Sequence, residues 1–480
     1  MVRIEKGAEC LNEKTAAEKE LPLRPDERLA CQAVVLRPEG ELRVFVKDFG
    51  EYTIVSESLK TEALLEPSIR REGGKVVNAA KENLAAYGGK LLGLAVDVGT
   101  TTLVIEVVDL ENGAVVAVAA RKNPQIAYGN DVISRIGHAM TCEGGLQELQ
   151  HVLFRGIGES LEGLEASHGP LRKHIYDVVA VGNPTMRSIF MGQPVDTLGV
   201  IPFEPHSLDA VAGKAGDIGL PVNPRADVYG PSLIGGHAGA DALADILACG
   251  MHQDSRLNMM IDIGTNGEVA LGNRDKIMTC SCAAGGAYEG ATIHCGSGAI
   301  EGAIKNVALT DGRVRFETIG GKPPIGVCGS GLIDLLAELL RTGIMTRKAK
   351  LSQEFFLTDG ISIRQEDVCQ LITAKAGLRL DQDLLMKYYG VTLDDVERIY
   401  LAGGFGTFIN PENAVAIGLL PPAAEKVVRI GNGAIAGARL MLISQAVRRT
   451  AEDLARRIEH VKPNEREPEF PYMVAEKMYF

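Results

Sequence analysis

A carboxylate followed by a glycine and three threonines is the first feature of this 480-residue chain that could do chemistry. The residues are Asp97, Gly99, Thr100, Thr101 and Thr102. Glycine lets the backbone approach a phosphate closely, and successive N–H groups and threonine hydroxyls can donate hydrogen bonds to its oxygens. The Asp97 carboxylate can hold a Mg2+ ion through water. The spacing therefore predicts a phosphate clamp with a magnesium site.

The same pattern returns in the second half of the chain, in Asp262, Gly264, Thr265, Asn266 and Gly267. Asp262 is the second candidate anchor for Mg2+. Glu268 follows directly and is a candidate general base, although a glutamate on a returning strand can equally face solvent. Two clusters of one design could grip a polyphosphate from opposite sides. We therefore predict one nucleotide site built from both, and two unrelated hairpins with turn glycines are the alternative.

The elements that must position these residues are β-hairpins. Both clusters lie between apolar, β-rich runs, at 91–110 and 259–271, which predicts strand, tight turn and strand. A third stretch, 398–407, is an apolar strand that ends in Gly403 and Gly404. Its flat glycine backbone could face a nucleoside.

The order of these motifs resembles the phosphate-one, phosphate-two and adenosine motifs of the sugar kinase, heat-shock ATPase and actin (ASKHA) superfamily. Longer phrases narrow the match: NPQIAYGNDVISRI from Asn123, VGNPTM from Val181, GVCGSGLIDLLAELLRTG from Gly326 and YLAGGFGTFINPENAVAIGLLP from Tyr400. They resemble the reductive activators of corrinoid proteins. Those iron–sulfur proteins use ATP to return an inactive Co(II) corrinoid to Co(I). The resemblance runs from about Arg24 to the C-terminus.

The resemblance implies an α/β, two-lobed ASKHA fold with duplicated ribonuclease H-like subdomains, preceded by a small β-rich ferredoxin remnant. We predict a remnant at 1–45, a connector at 46–90, subdomain I at 91–256, and subdomain II with a C-terminal tail at 257–480. Within the connector, 70–74 suits a linker because it is charged and contains glycine. The polar stretch 76–87 predicts a helix.

The resemblance also implies an ATPase that acts on a corrinoid protein, with ATP and Mg2+ as ligands. Asp97, Asp262 and Glu268 are then the catalytic candidates. A further set would face the nucleoside or its ribose and phosphates: Gly329, Ser330, Gly331, Gly403, Gly404, Phe405 and Gly406. The glycine-rich start of the helix after Cys328 suits a nucleotide, but it equally suits plain helix packing.

Family members hold a 2Fe–2S cluster with four cysteines of an N-terminal ferredoxin domain. Here Cys31, in the phrase Glu-Arg-Leu-Ala-Cys-Gln, matches the fourth ligand, whereas Cys10 is read as incidental. A cluster of this kind needs all four ligands. We expect an in-frame segment upstream of Met1 with a C-x5-C-x2-C-like pattern. A relative without a cluster is the alternative.

Composition excludes several classes of protein. The net charge of −12 argues against a nucleic-acid surface and leaves an acidic or neutral protein partner open. The chain has no apolar run of membrane-spanning length, and its N-terminus is too charged for a secretory signal. Nine scattered cysteines suggest reduced thiols rather than a disulfide framework. We expect a cytoplasmic homodimer.

Other motifs receive plainer interpretations. The Cys280-x-Cys282 pair with Cys295 lacks a fourth ligand, which favours buried thiols. The segment 427–436 matches a dinucleotide fingerprint, but no second strand with an acidic end follows it. Asn183 is read mainly as a turn cap, and Asp241 as a carboxylate favoured by a helix dipole.

Three rival functions stay open at this point. A small-molecule kinase on the same fold would need a substrate pocket, and we identify none in the sequence. An activator resembling those of 2-hydroxyacyl-CoA dehydratases would need a 4Fe–4S cluster, for which Cys328 or Cys282 is the candidate ligand. A nucleotide sensor or chaperone-like module would bind ATP with negligible turnover.

Overall fold

The computed structural model describes residues 2–19, 25–29, 32–37, 40–45, 63–283, 286–290, 292–404 and 406–480. The chain divides into two compact units, Met1–Gly50 and Glu51–Phe480. Cys31, Phe405 and the first part of the predicted connector, 46–62, lie outside the described residues.

The first unit is a small three-stranded antiparallel sheet with one short helix. Its elements are β1 (Val2–Lys6), α1 (Ala16–Lys19), β2 (Glu27–Arg28) and β3 (Arg43–Phe45), and the strand order is β2-β1-β3. Arg28 Nε lies 2.9 Å from Glu18 Oε1, and both side chains are almost completely buried. The guanidinium lowers the pKa of Glu18 to about 2. This paired charge supplements a unit too small for a large apolar core.

The second unit begins with a three-stranded antiparallel sheet, and the predicted helix at 76–87 is therefore wrong. The strands are β4 (Arg70–Glu72), β5 (Lys75–Val77) and β6 (Asn83–Ala86). Val76 and Leu84 are buried in the same core as Leu91, whereas the polar residues 81–83 between them are exposed. Strand pairing and this tertiary burial override the weak helix preference of the polar stretch. The predicted linker at 70–74 instead forms the first strand and its turn.

The first lobe is built on a six-stranded mixed sheet of order β11-β12-β10-β7-β8-β9. Its strands are β7 (Leu92–Val98), β8 (Thr102–Asp109), β9 (Val115–Lys122), β10 (Ile175–Val181), β11 (Val211–Lys214) and β12 (Asp227–Gly230). β7, β8 and β9 form consecutive antiparallel hairpins, while β10 lies parallel to β7. The hairpin predicted at 91–110 is confirmed.

Helices of the first lobe pack on this sheet, and the predicted helices at 131–140 and 146–165 are among them. The helices are α2 (Val132–Thr141), α3 (Gly145–His168), α4 (Pro184–Phe190), α5 (Ala215–Ile218) and α6 (Ala240–Cys249). Leu149, Leu153 and Ile157 of α3 recur every four residues, and all three are buried against the sheet. Their spacing is that of one helix face.

The second lobe repeats the sheet, with strand order β22-β21-β13-β14-β15-β23. Its strands are β13 (Asn258–Ile263), β14 (Asn266–Gly272), β15 (Ile277–Ala283), β16 (Ala303–Thr310), β17 (Arg313–Thr318), β18 (Gly326–Val327), β19 (Phe355–Thr358), β20 (Ile361–Ile363), β21 (Arg398–Ala402), β22 (Val427–Gly431) and β23 (Glu459–His460). β16 to β18 form a side sheet, and β19 pairs with β20. The hairpin predicted at 259–271 is confirmed.

The helices of the second lobe include one of 25 residues that the sequence reasoning did not identify, α8. The helices are α7 (Gly329–Arg341), α8 (Gln365–Tyr389), α9 (Pro411–Ala416), α10 (Gly433–Ile443), α11 (Gln445–Arg457), α12 (Pro463–Arg466) and α13 (Phe470–Lys477). Among the described helices, none combines the length and apolar character needed to cross a lipid bilayer.

The two sheets are related by duplication, and helices cross between them. In each, an antiparallel hairpin pairs with a third strand on one side and with a parallel strand on the other. α10 follows the second sheet but packs on β7, β8 and β10 of the first. It also packs against α6 so closely that a Cβ on Gly437 would lie 2.2 Å from the Ala244 carbonyl oxygen. The lobes therefore share one continuous core between them.

Candidate functional site

A cleft of about 980 Å³ lies between the two hairpins and includes the open space at its mouth. The turns of both hairpins and the end of β21 line it. Among the described residues that form its walls, none is Lys, Arg or His. Five carboxylates do line it: Asp97, Asp241, Asp262, Glu268 and Glu289. An anion in this cleft must therefore be neutralised by a bound cation or by protons.

Three side chains hold the tip of the first hairpin in place. Asn123 Nδ2 donates to the Gly99 carbonyl oxygen at 2.8 Å, and Arg135 Nη2 donates to that of Thr100 at 2.6 Å. Asn183 Nδ2 donates to Thr100 Oγ1 at 2.9 Å. A Cβ on Gly99 would lie 2.4 Å from the Thr102 carbonyl oxygen, so this turn requires glycine. These three hydrogen bonds preorganise the tip.

Two of the side chains that hold the first tip, Asn183 and Arg135, have further notable features. Asn183 also accepts the N–H of Met186 and so caps α4, which confirms the turn-cap interpretation and adds an orienting role. Arg135 is completely buried, and burial lowers its pKa to about 10. The phrase that begins at Asn123 therefore serves to secure the first tip.

Asp97, at the end of β7, is bound by a residue from the far end of the chain. Asn432 Nδ2 donates to Asp97 Oδ2 at 2.9 Å, while Asn432 Oδ1 accepts the N–H of Ile435 and caps α10. Asn432 lies in the segment that resembles a dinucleotide fingerprint. Its observed role is to join α10 to the first hairpin.

Asp262, at the end of β13, is held differently. Among the described residues, no N–H or hydroxyl group donates to Asp262 Oδ1 or to either carboxylate oxygen of Asp245, all of which are buried. The raised pKa of Asp245 instead lets its carboxyl group donate a proton to Asp262. A Cβ on Gly403, whose φ is +113°, would lie 2.9 Å from Asp262 Oδ1 and 2.7 Å from the Ile263 carbonyl oxygen. Glycine at 403 thus lets the end of β21 close against the second hairpin.

The two tips meet at a third acidic residue. Thr101 Oγ1 and Thr265 Oγ1 lie 2.9 Å apart. Thr101 Oγ1 is 3.1 Å from Glu289 Oε2, and the Thr265 hydroxyl also donates to that oxygen. Tyr288, next to Glu289, is buried and donates from its hydroxyl to the Leu371 carbonyl oxygen of α8. A carboxylate therefore links the hairpins of both lobes.

Burial dominates the electrostatics of this cleft. It raises the pKa of Asp97 and of Asp262 to about 7, and nearby carboxylates add to both shifts. Burial also raises the pKa of Asp241 to about 6 and that of Asp245 well above its ordinary value. Near neutral pH the cluster therefore retains protons that a cation would displace.

Glu268 lies directly across the strand pair from Asp262. It is buried, Ser281 Oγ donates to its Oε1 at 3.3 Å, and burial raises its pKa well above the ordinary value. The solvent-facing alternative for Glu268 is therefore wrong. At the matching position of the first hairpin, opposite Asp97, the residue is Val104.

The structure brings most predicted residues to the cleft. Those that line it are Asp97, Gly99, Thr100, Thr101, Thr102, Asp262, Gly264, Thr265, Asn266, Glu268, Gly329, Gly403 and Gly404. Gly267, Ser330, Gly331 and Gly406 are not among the lining residues. Gly331 packs against the Ile304 carbonyl, and Ser330 Oγ donates to the Lys305 carbonyl at 2.7 Å. These two contacts pack the start of α7 against β16, as the helix-packing alternative predicted.

Sequence reasoning missed Asp245, Glu289 and Asn432, and it gave Asp241 only a dipole role. Asp241 and Asp245 are four residues apart on α6, the spacing of one helix face, which was an available signal. The other two lie in loops whose position depends on the fold, and their local sequence carries no comparable signal.

The cysteines of the second lobe do not form a metal centre in the described part of the chain. No group of three or more His, Cys, Asp or Glu is arranged there to hold an ion. Cys280 and Cys295 are buried thiols, as predicted, and Cys282 is partly buried. Cys328 is completely buried, and its Sγ donates to the Ile304 carbonyl at 3.3 Å, so it does not face a partner surface.

The donor set nevertheless suits a magnesium ion with few protein ligands. Mg2+ prefers carboxylate and water oxygens, and in nucleotide sites it is commonly held by one or two carboxylates plus phosphate oxygens. Asp97 and Asp262 both line the cleft, and no N–H or hydroxyl group of the described residues donates to Asp262 Oδ1. These two side chains fit the predicted ion.

Comparison with known families gives a clear assignment. Residues 92–254 match the RACo middle region, and residues 256–480 match the C-terminal domain of RACo, the ASKHA domain. The chain belongs to the RACo family. The predicted ASKHA fold is thereby confirmed, and the family recognised from the motifs is the one that matches.

Individual RACo relatives carry related names. The chain is 36% identical over 385 residues to the corrinoid activation enzyme RamQ of Eubacterium limosum, a match that covers 74% of this chain and 65% of that protein. It is 25% identical over 402 residues to a Methanosarcina barkeri reductase of a Co(II) methylated amine-specific corrinoid protein, covering 77% and 73%. The chain thus spans less than two thirds of the RamQ length.

A solved structure named reductive activator for corrinoid, iron-sulfur protein has the same fold. It superposes with a TM-score of 0.83 at 27% identity, over 100% of this chain and 91% of that one. The similarity therefore extends through the N-terminal unit as well as the RACo middle and ASKHA regions.

Proposed function

We propose that this chain is an ATP-hydrolysing activator that returns the Co(II) corrinoid of a partner protein to Co(I). One observation carries the proposal: in a chain of the RACo family, two Asp-x-Gly-Thr tips from duplicated hairpins meet across one cleft lined by carboxylates. Such a cleft suits a Mg2+-bound polyphosphate. The names of the relatives support the corrinoid protein as the partner.

Each tip has a defined part in the proposed reaction. Asp97 and Asp262 would hold Mg2+ and orient water, while the loops of Thr100 and Thr265 would donate hydrogen bonds to the phosphates. The bound ion would supply positive charge that offsets the charge of the phosphates. Glu268, buried beside Asp262, accepts a proton from the attacking water. Gly403 and Gly404 lie against the nucleoside.

ATP hydrolysis supplies free energy but no electron, so reduction of Co(II) to Co(I) requires a one-electron donor. The first 50 residues contain two cysteines, Cys10 and Cys31, whereas a 2Fe–2S cluster needs four ligands. Cys10 is buried, and Cys31 lies outside the described residues. The cysteines of these 480 residues do not fit the cluster, and no electron step is assigned to them.

The helix α10, which crosses between the lobes, offers a route by which nucleotide binding could change the affinity for the partner protein. Asn432 connects α10 to Asp97, and Arg439 of the same helix pairs with Glu106 of β8 at 2.7 Å. A ligand that changes the distance between the hairpins therefore also acts on α10. We infer that hydrolysis changes the arrangement of the lobes and, with it, affinity for the corrinoid protein.

The direct test combines the chain with a corrinoid protein held in the Co(II) state and a low-potential one-electron reductant. We expect the visible absorption of Co(II) to be replaced by that of Co(I) faster with Mg2+ and ATP than with ADP. The Asp262→Asn variant is expected to lose this ATP effect. Equal rates with and without ATP would contradict the proposal, and ATP binding without turnover would favour the nucleotide sensor.

Three further expectations accompany the proposal and have their own measurements. Iron and sulfide content of protein expressed from the longest upstream in-frame start tests the 2Fe–2S cluster. Light scattering tests the homodimer. Limited proteolysis tests the division into 1–45, 46–90, 91–256 and 257–480, since cleavage should concentrate in exposed connecting segments.

A further inference from the structure

Glu289 occupies the space between the two tips to which the proposed function assigns the phosphates. Its Oε2 lies within hydrogen-bond distance of Thr101 Oγ1 of the first hairpin and of Thr265 Oγ1 of the second. Each hydroxyl carries one hydrogen, and both can donate it to this oxygen. A single carboxylate oxygen thus uses the donors of both tips at once.

A phosphate oxygen would need the same contacts. The two threonine hydroxyls cannot serve Glu289 and a nucleotide together, because each has one proton to donate. The two anions would also repel each other, and no Lys, Arg or His occurs among the described residues that line the cleft. Binding of a phosphate between the tips therefore requires that the Glu289 carboxylate leave them.

We propose that Glu289 takes the place of the terminal phosphate in the nucleotide-free protein and thereby determines how strongly ATP is bound relative to ADP. The inference rests on the proposed function. ADP lacks the terminal phosphate and binds with Glu289 still held by both threonines. ATP must displace the carboxylate, so part of its binding free energy is used for that exchange.

The position of Glu289 is set by its neighbours, which limits the motion that the exchange requires. Tyr288 is anchored to α8 through its hydroxyl, and a Cβ on Gly290 would lie 2.5 Å from the backbone nitrogen of Ser297. The backbone on both sides is thus packed in place. The exchange therefore moves mainly the Glu289 side chain. This motion breaks the hydrogen bonds through which Glu289 links Thr101 to Thr265.

The test measures the dissociation constants of ATP and ADP, each with Mg2+, by isothermal titration calorimetry. Glu289→Gln keeps the size of the side chain and removes its charge. We expect it to lower the Kd of ATP about tenfold and to change that of ADP less than about threefold. Glu301→Gln is the matched control, since Glu301 is exposed, belongs to the same lobe and does not line the cleft.

The outcomes separate the inference from the function on which it rests. If the wild-type protein binds neither ATP nor ADP, both the proposed function and the inference about Glu289 are contradicted. If wild type binds ATP but Glu289→Gln binds it more weakly, or tightens both nucleotides equally, Glu289 does not substitute for the terminal phosphate. Thermal unfolding of each variant checks that it is folded. Glu289→Ala removes the acceptor altogether and must give the same preference for ATP as Glu289→Gln.

Discussion

The two hairpins share an Asp-x-Gly-Thr sequence, but the structure holds them in different ways. Asn123, Arg135 and Asn183 fix the first tip through its backbone and Thr100. The second tip has no equivalent set among the described residues, and its Thr265 donates to Glu289. The first tip is therefore fixed by three side chains of its own lobe, whereas the second tip lacks such support in the described part of the chain.

The same contrast extends to the carboxylates. Asp97 has Asn432 as a donor and Val104 across the strand pair, while Asp262 has Glu268 across it and a carboxylate oxygen without a donor in the described chain. Duplication thus produced two similar backbones with unequal chemistry. The second hairpin carries two facing carboxylates, whereas the first carries one carboxylate and more hydrogen-bonded support.

The largest expected effect distinguishes the two aspartates. Asp262→Asn is expected to lower the ATPase rate about a hundredfold, and Asp97→Asn about tenfold. Asp262 Oδ1 accepts no N–H or hydroxyl donor among the described residues, and Glu268 lies opposite Asp262, whereas Asp97 accepts a hydrogen bond from Asn432. Phosphate release at saturating Mg2+ and ATP measures both rates. Equal losses would mean that the hairpins contribute equally to the chemistry.

The second-largest expected effect comes from removing Arg135, which supports the first tip. Arg135→Met leaves the carbonyl oxygens of Thr100 and Gly129 without this donor, and we expect the free energy of unfolding to fall by about 2 kcal/mol. Urea denaturation measures it. Arg155→Met is the control, because Arg155 is exposed on α3. An unchanged stability would mean that the first tip is held by its own turn rather than by Arg135.

A buried acid beneath the second hairpin gives a pH dependence. Burial raises the pKa of Asp381, whose carboxylate faces the thiols of Cys280 and Cys282, to about 7. The folded chain then keeps a proton that an unfolded aspartate releases near pH 4, so this contribution is complete below that pH and is lost as pH rises through 7. We expect Asp381→Asn to reduce the fall in unfolding free energy between pH 6 and 8 by about 1.4 kcal/mol.

The measurement for Asp381 is urea denaturation at four pH values, with Asp359→Asn as the control because Asp359 is exposed on the same lobe. A parallel shift of the whole curve in Asp381→Asn, with no change of slope, would place the titrating group elsewhere.

The smallest expected effect concerns the link between α10 and the first hairpin. Asn432→Ala removes both a helix cap and the donor to Asp97, and we expect a loss of about 1 kcal/mol in unfolding free energy. Asn432→Ser retains a capping hydroxyl and should recover most of it. If Ser and Ala behave alike, the bond to Asp97 rather than the cap accounts for the loss.

Local patterns predicted much of this architecture. The hairpins at β7–β8 and β13–β14, and the helices α2, α3 and α7, follow from alternating or helical apolar spacing that a few neighbouring residues determine. The stretch 76–87 was misassigned because its polar residues carry weak preferences that strand pairing overrides. The helix α8 was missed, although its 25 residues contain regularly spaced leucines.

The sequence by itself determined the two Asp-x-Gly-Thr hairpin tips, because glycine, threonine and aspartate at those spacings act within a single turn of chain. Only the tertiary structure decided what surrounds them. Thr101 meets Thr265 across 164 positions, and Asn432 meets Asp97 across 335. Such contacts depend on how α6 and α10 pack between the sheets, and no local periodicity records that packing.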